Sequence, residues 1–132
     1  MNPVVHFEIP YENAERASAF YRAAFGWQTQ QYGPEMGNYV VLTTATKDVL
    51  PTATRGSING GLYQKKAGFP EQHPSIVIGV DNVQTAMRAV RDAGGEVLGE
   101  PVQIPEVGLY VSFLDTEGNR NSLLQPSPTM KK

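Results

Sequence analysis

The chain has 132 residues, 40% of them apolar and 18% charged, and a formal net charge of −2. That length suits a domain with a core of its own, and eleven scattered Lys and Arg give neither nucleic acid nor an anionic membrane a basic stripe to bind. No cysteine is present, which excludes disulfides, thiolate catalysis and Cys-ligated zinc or iron–sulfur sites.

No apolar run reaches the length of a membrane span. The amino terminus, Met1-Asn2-Pro3-Val4-Val5-His6, lacks the basic and apolar regions of a secretion signal, so a cytoplasmic protein is expected. Residues 4–9 are rich in β-formers, and a strand is predicted to stop at Pro10. Alternation puts His6 and Glu8 on one face of that strand and Val5, Phe7 and Ile9 on the other. Asn13 is a candidate N-cap for a helix running to Phe25, with Gly26 as its stop. The helix's apolar side reads as Ala14, Ala17, Phe20, Tyr21, Ala24 and Phe25. Strands are predicted over 27–32, 39–43 and 58–64, and the stretch 44–57, holding Pro51 and Gly56, as an exposed loop.

The pattern then restarts. A strand over 75–80 leads to a helix capped by Asp81 or Asn82, with Val83, Ala86, Met87, Val90 and Ala93 as its inner face and Gly94-Gly95 as its stop. Strands over 96–98, 110–114 and 121–125 follow, with Asp115-Thr116-Glu117-Gly118-Asn119 turning the last two into a hairpin. A shift of 69 positions places Ile9 on Ile78, Asn13 on Asn82, Ala17 on Ala86, Ala24 on Ala93 and Gly26 on Gly95. A shift of 71 places Tyr39-Val40 on Tyr110-Val111. Matching caps, helix stops and core positions at nearly one offset indicate an internal repeat. The expected fold class is therefore α+β, with modules over about 3–64 and 74–126, a linker at 65–73 and a frayed tail at 127–132.

The segments Val5-His6-Phe7-Glu8-Ile9-Pro10, Glu15-Arg16-Ala17, Phe20-Tyr21 and Phe25-Gly26-Trp27 resemble the opening of vicinal oxygen chelate proteins. This is the superfamily of glyoxalases, bleomycin-resistance proteins and extradiol dioxygenases. Ile58-Asn59-Gly60-Gly61-Leu62 and Asp115-Thr116-Glu117-Gly118-Asn119 resemble the ends of its two modules, although the second usually reads Asp-Pro-x-Gly-Asn. The resemblance implies two tandem βαβββ modules forming a curved mixed sheet around a cleft, often completed by a homodimer.

In metal-dependent members, four strand positions facing the cleft carry His or Glu ligands. Carried over, they fall on His6, Ser75, Gly60 or Gly61, and Ser122, of which His6 alone is a good ligand. The other histidine, His73, falls in the linker, and reaching His6 and Glu8 would require that linker to fold inward. No metal or other cofactor is expected, with zinc, nickel, manganese or iron as the alternative. His6 then reads as a metal ligand, as a hydrogen-bonding or acid–base group in a metal-free cleft, or as a satisfied polar residue. Glu8 reads as its tuning partner or as a solvated rim carboxylate.

Tyr39, Tyr63 and Tyr110, with Ser75 and Ser122, are candidate ligand-binding residues, since a phenol can stack on a flat ligand and fix it by one hydrogen bond. Ordinary sheet packing is the alternative for each tyrosine. Trp27 reads as core or dimer packing, and Arg55 as a solvated loop residue or an anion contact. Gly60-Gly61 would admit a close approach or mark a bulge, leaving a wide cleft floor. The expected function is metal-free binding of a small molecule, as bleomycin-resistance proteins show the fold can do. An enzyme of lyase, isomerase or dioxygenase type using His6, or a non-catalytic dimerisation module, are the alternatives.

Overall fold

The computed structural model describes residues 1–45, 57–69 and 71–128. Most of the expected loop over 44–57, with Pro51, Arg55 and Gly56, lies outside the described residues, as do Pro70 and 129–132. The chain divides into two compact units, one of residues 6–74 and one of residues 1–5 with 75–132.

In the first unit the order is β1 (Val4–Tyr11, belonging to this unit from His6 on), α1 (Ala14–Phe25), β2 (Gln28–Gln31), β3 (Val40–Thr43) and β4 (Gly60–Gln64). The strands lie in the order β2-β3-β4-β1, with β1 parallel to β4 and the other neighbours antiparallel. In the second unit β5 (Ser75–Gly79), α2 (Val83–Asp92), β6 (Glu96–Ile104), β7 (Gly108–Leu114) and β8 (Arg120–Pro126) follow. Their order is β5-β8-β7-β6, again with one parallel pair, β5·β8, and antiparallel neighbours. Both units are thus βαβββ with a mixed sheet, the α+β class expected.

The two units share one register. Glu8 faces Gly61 across β1·β4, and Val77 faces Ser122 across β5·β8. Val40 faces Leu62 across β3·β4, and Val111 faces Leu123 across β7·β8. The helices begin alike too: Asn13 Oδ1 accepts from the Arg16 N–H, and Asn82 Oδ1 from that of Thr85, both at 2.9 Å. Each cap satisfies an amide that the helix itself leaves unpaired.

Helix and sheet meet as the alternation requires. Phe7, Ile9 and Tyr11 of β1 pack with Val40, Leu42 and Leu62 beneath Ala14, Ala17 and Tyr21 of α1, and Trp27 closes the end. The second core joins Val83 and Met87 of α2 to Val80, Val111, Phe113 and Leu123. A fully buried Val, Leu or Met side chain among these stabilises the fold by about 1.5–3 kcal/mol. His6 and Glu8 therefore stand on the face of β1 away from α1, where the pleat puts them.

Four expectations change. The first strand runs through Pro10 to Tyr11. Phe7 N donates to Asn59 O and Lys65 N donates to Tyr11 O, so odd positions of β1 bond to β4. Pro10, at an even position, omits a donor that would not have faced β4. Phe20 and Phe25 are exposed, at 57% and 62%. Phe20 lies about 120° round the helix from the face centred on Ala14, and Phe25 sits at the last turn among Tyr21, Phe20 and Trp27. Ala24 and Ala93 are likewise exposed. Strand β6 extends well past Leu98, because a register shift between Leu98 and Val102, with Gly99 at φ 91°, absorbs the irregular stretch.

Candidate functional site

Three of the expected site residues meet in the first unit. Nε2 of His6 lies 2.9 Å from the hydroxyl of Tyr39. That hydroxyl donates to Oε2 of Glu8, also at 2.9 Å. His6 and Glu8 are two residues apart on β1, so the pleat aligns them, and Tyr39 enters from the residue preceding β3. Because Val40 points into the core, Tyr39 points to the opposite face, the one that carries His6 and Glu8.

Gly61 makes room for Tyr39. A Cβ at Gly61 would stand 2.1–2.2 Å from the Tyr39 ring and its hydroxyl, far inside van der Waals contact. Gly60 faces the other way and is covered by Phe7, whose ring would lie 2.5 Å from a Cβ placed there. The wide floor expected at Gly60-Gly61 is therefore filled: one glycine receives a phenol and the other a phenyl ring. Neither marks a bulge, since the β1·β4 register runs unbroken from Phe7↔Gly60 to Tyr11↔Gln64.

Burial shapes the electrostatics of the cluster. Desolvation pushes the His6 imidazole below its ordinary pKa, and the Glu8 charge draws it part of the way back. Glu8 itself is buried, at 8% exposure. A buried carboxylate needs hydrogen-bond donors, and the Tyr39 hydroxyl supplies one.

The second unit builds a neutral counterpart. Ser122, which stands in the register place of Gly61, donates to the Tyr110 hydroxyl at 2.7 Å and lies 3.0 Å from the Ser112 hydroxyl. Ser112 is not among the residues expected from the sequence, although it occupies the repeat position of Val41 and faces Ser122 directly. Ser75, at the start of β5, is half-buried and makes no side-chain hydrogen bond among the described residues.

The remaining candidates stand elsewhere. Tyr63 donates to the His73 carbonyl at 3.3 Å, and the exposed His73 ring pairs with Glu71 at 3.5 Å. Trp27 stacks on Tyr21 at 4.8 Å and packs on Phe7, which makes it a core residue of its unit. An open polar hollow of about 450 Å³, lined by Glu12, Gln64, Lys65, Lys66, Ala67 and Gln72, shares no residue with the His6 cluster.

The donor set does not fit a divalent ion. Among the described residues no three His, Asp or Glu side chains come together. His6 Nε2 and Glu8 Oε2 are joined through Tyr39, and the hydroxyl of Ser122 is engaged by two others. A catalytic zinc would need three protein ligands.

Two βαβββ units in tandem, each with a mixed sheet, are the glyoxalase-type fold. The chain belongs to the Glyoxalase/Bleomycin resistance protein/Dioxygenase superfamily, whose sequence profile matches residues 4–123. It is 30% identical over 119 residues to a glyoxylase-like domain-containing protein of Didymella fabae, covering 88% of each chain. It is 28% identical over 122 residues to the putative glyoxylase CFP32 of Mycobacterium bovis, covering 92% of this chain but 43% of that one. The chain thus spans less than half the length of this second relative. In fold it is similar to the methylmalonyl-CoA epimerase of Mycobacterium tuberculosis, with a TM-score of 0.69 at 14% identity, covering 97% of this chain and 90% of that one. Among the described residues no helix is long and apolar enough to cross a membrane.

Proposed function

We propose that the chain binds a small organic molecule at His6 and does so without a divalent metal. The observation that carries this reading is the His6–Tyr39–Glu8 chain of hydrogen bonds. The imidazole and the carboxylate on this face of β1 are bonded to one phenol, and that phenol fills the space over Gly61. A half-buried neutral imidazole backed by a phenol and a buried carboxylate suits recognition of a small polar group. The superfamily, and the fold neighbour named for an epimerase of a coenzyme A ester, support a small-molecule ligand.

A second reading has an observation of its own. Burial keeps His6 neutral near neutral pH, and the chain through Tyr39 to Glu8 can stabilise the charge when the ring takes up a proton. His6 would then be an acid–base group of a lyase or isomerase. We further propose a homodimer, since exposed Phe20 and Phe25 and the end strands β2 and β6 leave apolar surface and unpaired edges to cover.

A thermal-shift screen of metabolites on wild type and His6→Ala tests the binding reading. A ligand that binds the native state raises the wild-type melting temperature, and the variant should lose about 0.5–1.5 kcal/mol of that binding. A ligand held equally well by His6→Ala would place the site elsewhere. Turnover of such a ligand by wild type, lost in His6→Ala, would establish the second reading.

A further inference from the structure

The hydrogen-bond chain fixes which nitrogen of His6 carries the proton. A phenol has one hydrogen, and that of Tyr39 is directed to Oε2 of Glu8. The 2.9 Å contact between His6 Nε2 and the Tyr39 oxygen must then be made by an N–H on Nε2, with the phenol oxygen accepting. In a neutral imidazole the other nitrogen, Nδ1, is left with its lone pair. Among the described residues nothing bonds to Nδ1.

Tyr39 is well held for this task. Its ring lies over Gly61, which has no side chain to displace it, and it runs nearly parallel to the imidazole, at 20°. We infer that Tyr39 and Glu8 are positioning residues that lock His6 as the Nε2–H tautomer, so that His6 offers a ligand an acceptor nitrogen and selects molecules presenting a hydroxyl or N–H donor. Such a site discriminates against the O-methylated or carbonyl form of the same molecule, because an acceptor brought against Nδ1 leaves two lone pairs facing each other. The second unit offers no such choice at the repeat position, where Ser75 replaces His6 and a hydroxyl can turn to donate or accept.

This inference rests on the reading of His6 as the ligand-contacting group, yet both of its tests use ligand-free protein. Failure here would leave the binding proposal standing, and failure to find a ligand at His6 would leave the tautomer standing but remove the selection of donor-bearing ligands. The chain has two histidines, and exposed His73 serves as an internal reference. Two-bond proton–nitrogen correlation spectra of ¹⁵N-histidine-labelled protein near neutral pH should show His6 protonated at Nε2 and bare at Nδ1. Alkylation with iodoacetate, in which the nitrogen lone pair displaces iodide, should give the Nδ1-carboxymethyl product at His6 in the native protein. The two carboxymethylhistidines are separated after acid hydrolysis of the His6 peptide, and no thiol competes because cysteine is absent. Tyr39→Phe keeps the ring over Gly61 but removes the acceptor, so both tautomers and both products should appear. A wild-type His6 protonated at Nδ1, alkylation at Nε2 or not at all, or a folded Tyr39→Phe with an unchanged tautomer would overturn the inference. The wild-type spectrum decides the tautomer without any variant.

Discussion

Gly61 and Tyr39 are complementary: the ring of one occupies the volume that a side chain on the other would need, with a Cβ at Gly61 falling 2.1 Å from the Tyr39 ring. Tyr39 is held at its hydroxyl by His6 and Glu8, so it cannot swing aside without breaking them. Gly61→Ala should therefore destabilise by about 1–3 kcal/mol, as overpacking does. Urea denaturation measures it, and the loss should shrink in the Gly61→Ala/Tyr39→Ala double variant. Additive losses would mean that the two residues do not compete for space.

Ser18 presents the opposite case. It is buried on α1, and its hydroxyl has no hydrogen-bond partner among the described residues, so its desolvation is uncompensated. Ser18→Ala is expected to leave stability unchanged or raise it by about 1 kcal/mol. A thermal melt showing a clear loss would reveal a partner for that hydroxyl.

The helix caps should be equal in effect if the repeat is energetic as well as geometric. Asn13→Ala and Asn82→Ala each remove one bond at 2.9 Å to the third residue of the helix. Each should cost about 0.5–2 kcal/mol by chemical denaturation. A cost confined to one of them would show that the other helix is held by packing alone.

Stability should fall on acidification in two stages. The His6 pKa is depressed by burial below 6.5, so its contribution is complete above 6.5 and is lost as pH drops through the lower folded value. Asp115 is depressed by bonds from the Asn119 backbone and side chain and the Glu117 backbone. Its contribution is present above about 3.8 and is lost as pH falls further. In both cases the unfolded chain binds the proton more readily. Melting temperature against pH should show the first decline in wild type but not in His6→Ala. Persistence of that decline in the variant would assign it to another group.

Self-association is expected to cover the exposed pair Phe20 and Phe25. Sedimentation at micromolar concentration should give a dimer mass, weakened in Phe20→Glu. A clean monomer for wild type would contradict it.

The fold is readable because its signals are local. Asn13 and Asn82 announce the helices, the β1 alternation of His6 and Glu8 with Phe7 and Ile9 assigns the faces, and the offsets of 69 and 71 expose the repeat. The site is readable only in part. His6 and Glu8 follow from the pleat, but the place of Tyr39 over Gly61 depends on the β3·β4 register, which pairs residues about twenty positions apart. No periodicity within either strand encodes that pairing. Ser112 has a signal, since the second offset carries Val41 onto it and strand alternation puts it on the face of Tyr110, although its place opposite Ser122 again depends on register. The helix stripe misplaces Phe20 and Phe25 because apolar spacing does not show where a core ends. Pro10 misleads because its missing donor is not one that β1 directs at β4, the strand it pairs with through Tyr11.

Metal titration separates metal-free from metal-dependent binding at His6. Protein stripped with chelator and dialysed against zinc, nickel, manganese or ferrous iron in turn is assayed for bound metal, alongside His6→Ala. With His6 and Glu8 committed to Tyr39, wild type should retain well below one equivalent of any of them and match the variant. One tightly held equivalent per chain, lost in His6→Ala, would contradict metal-free binding at this site.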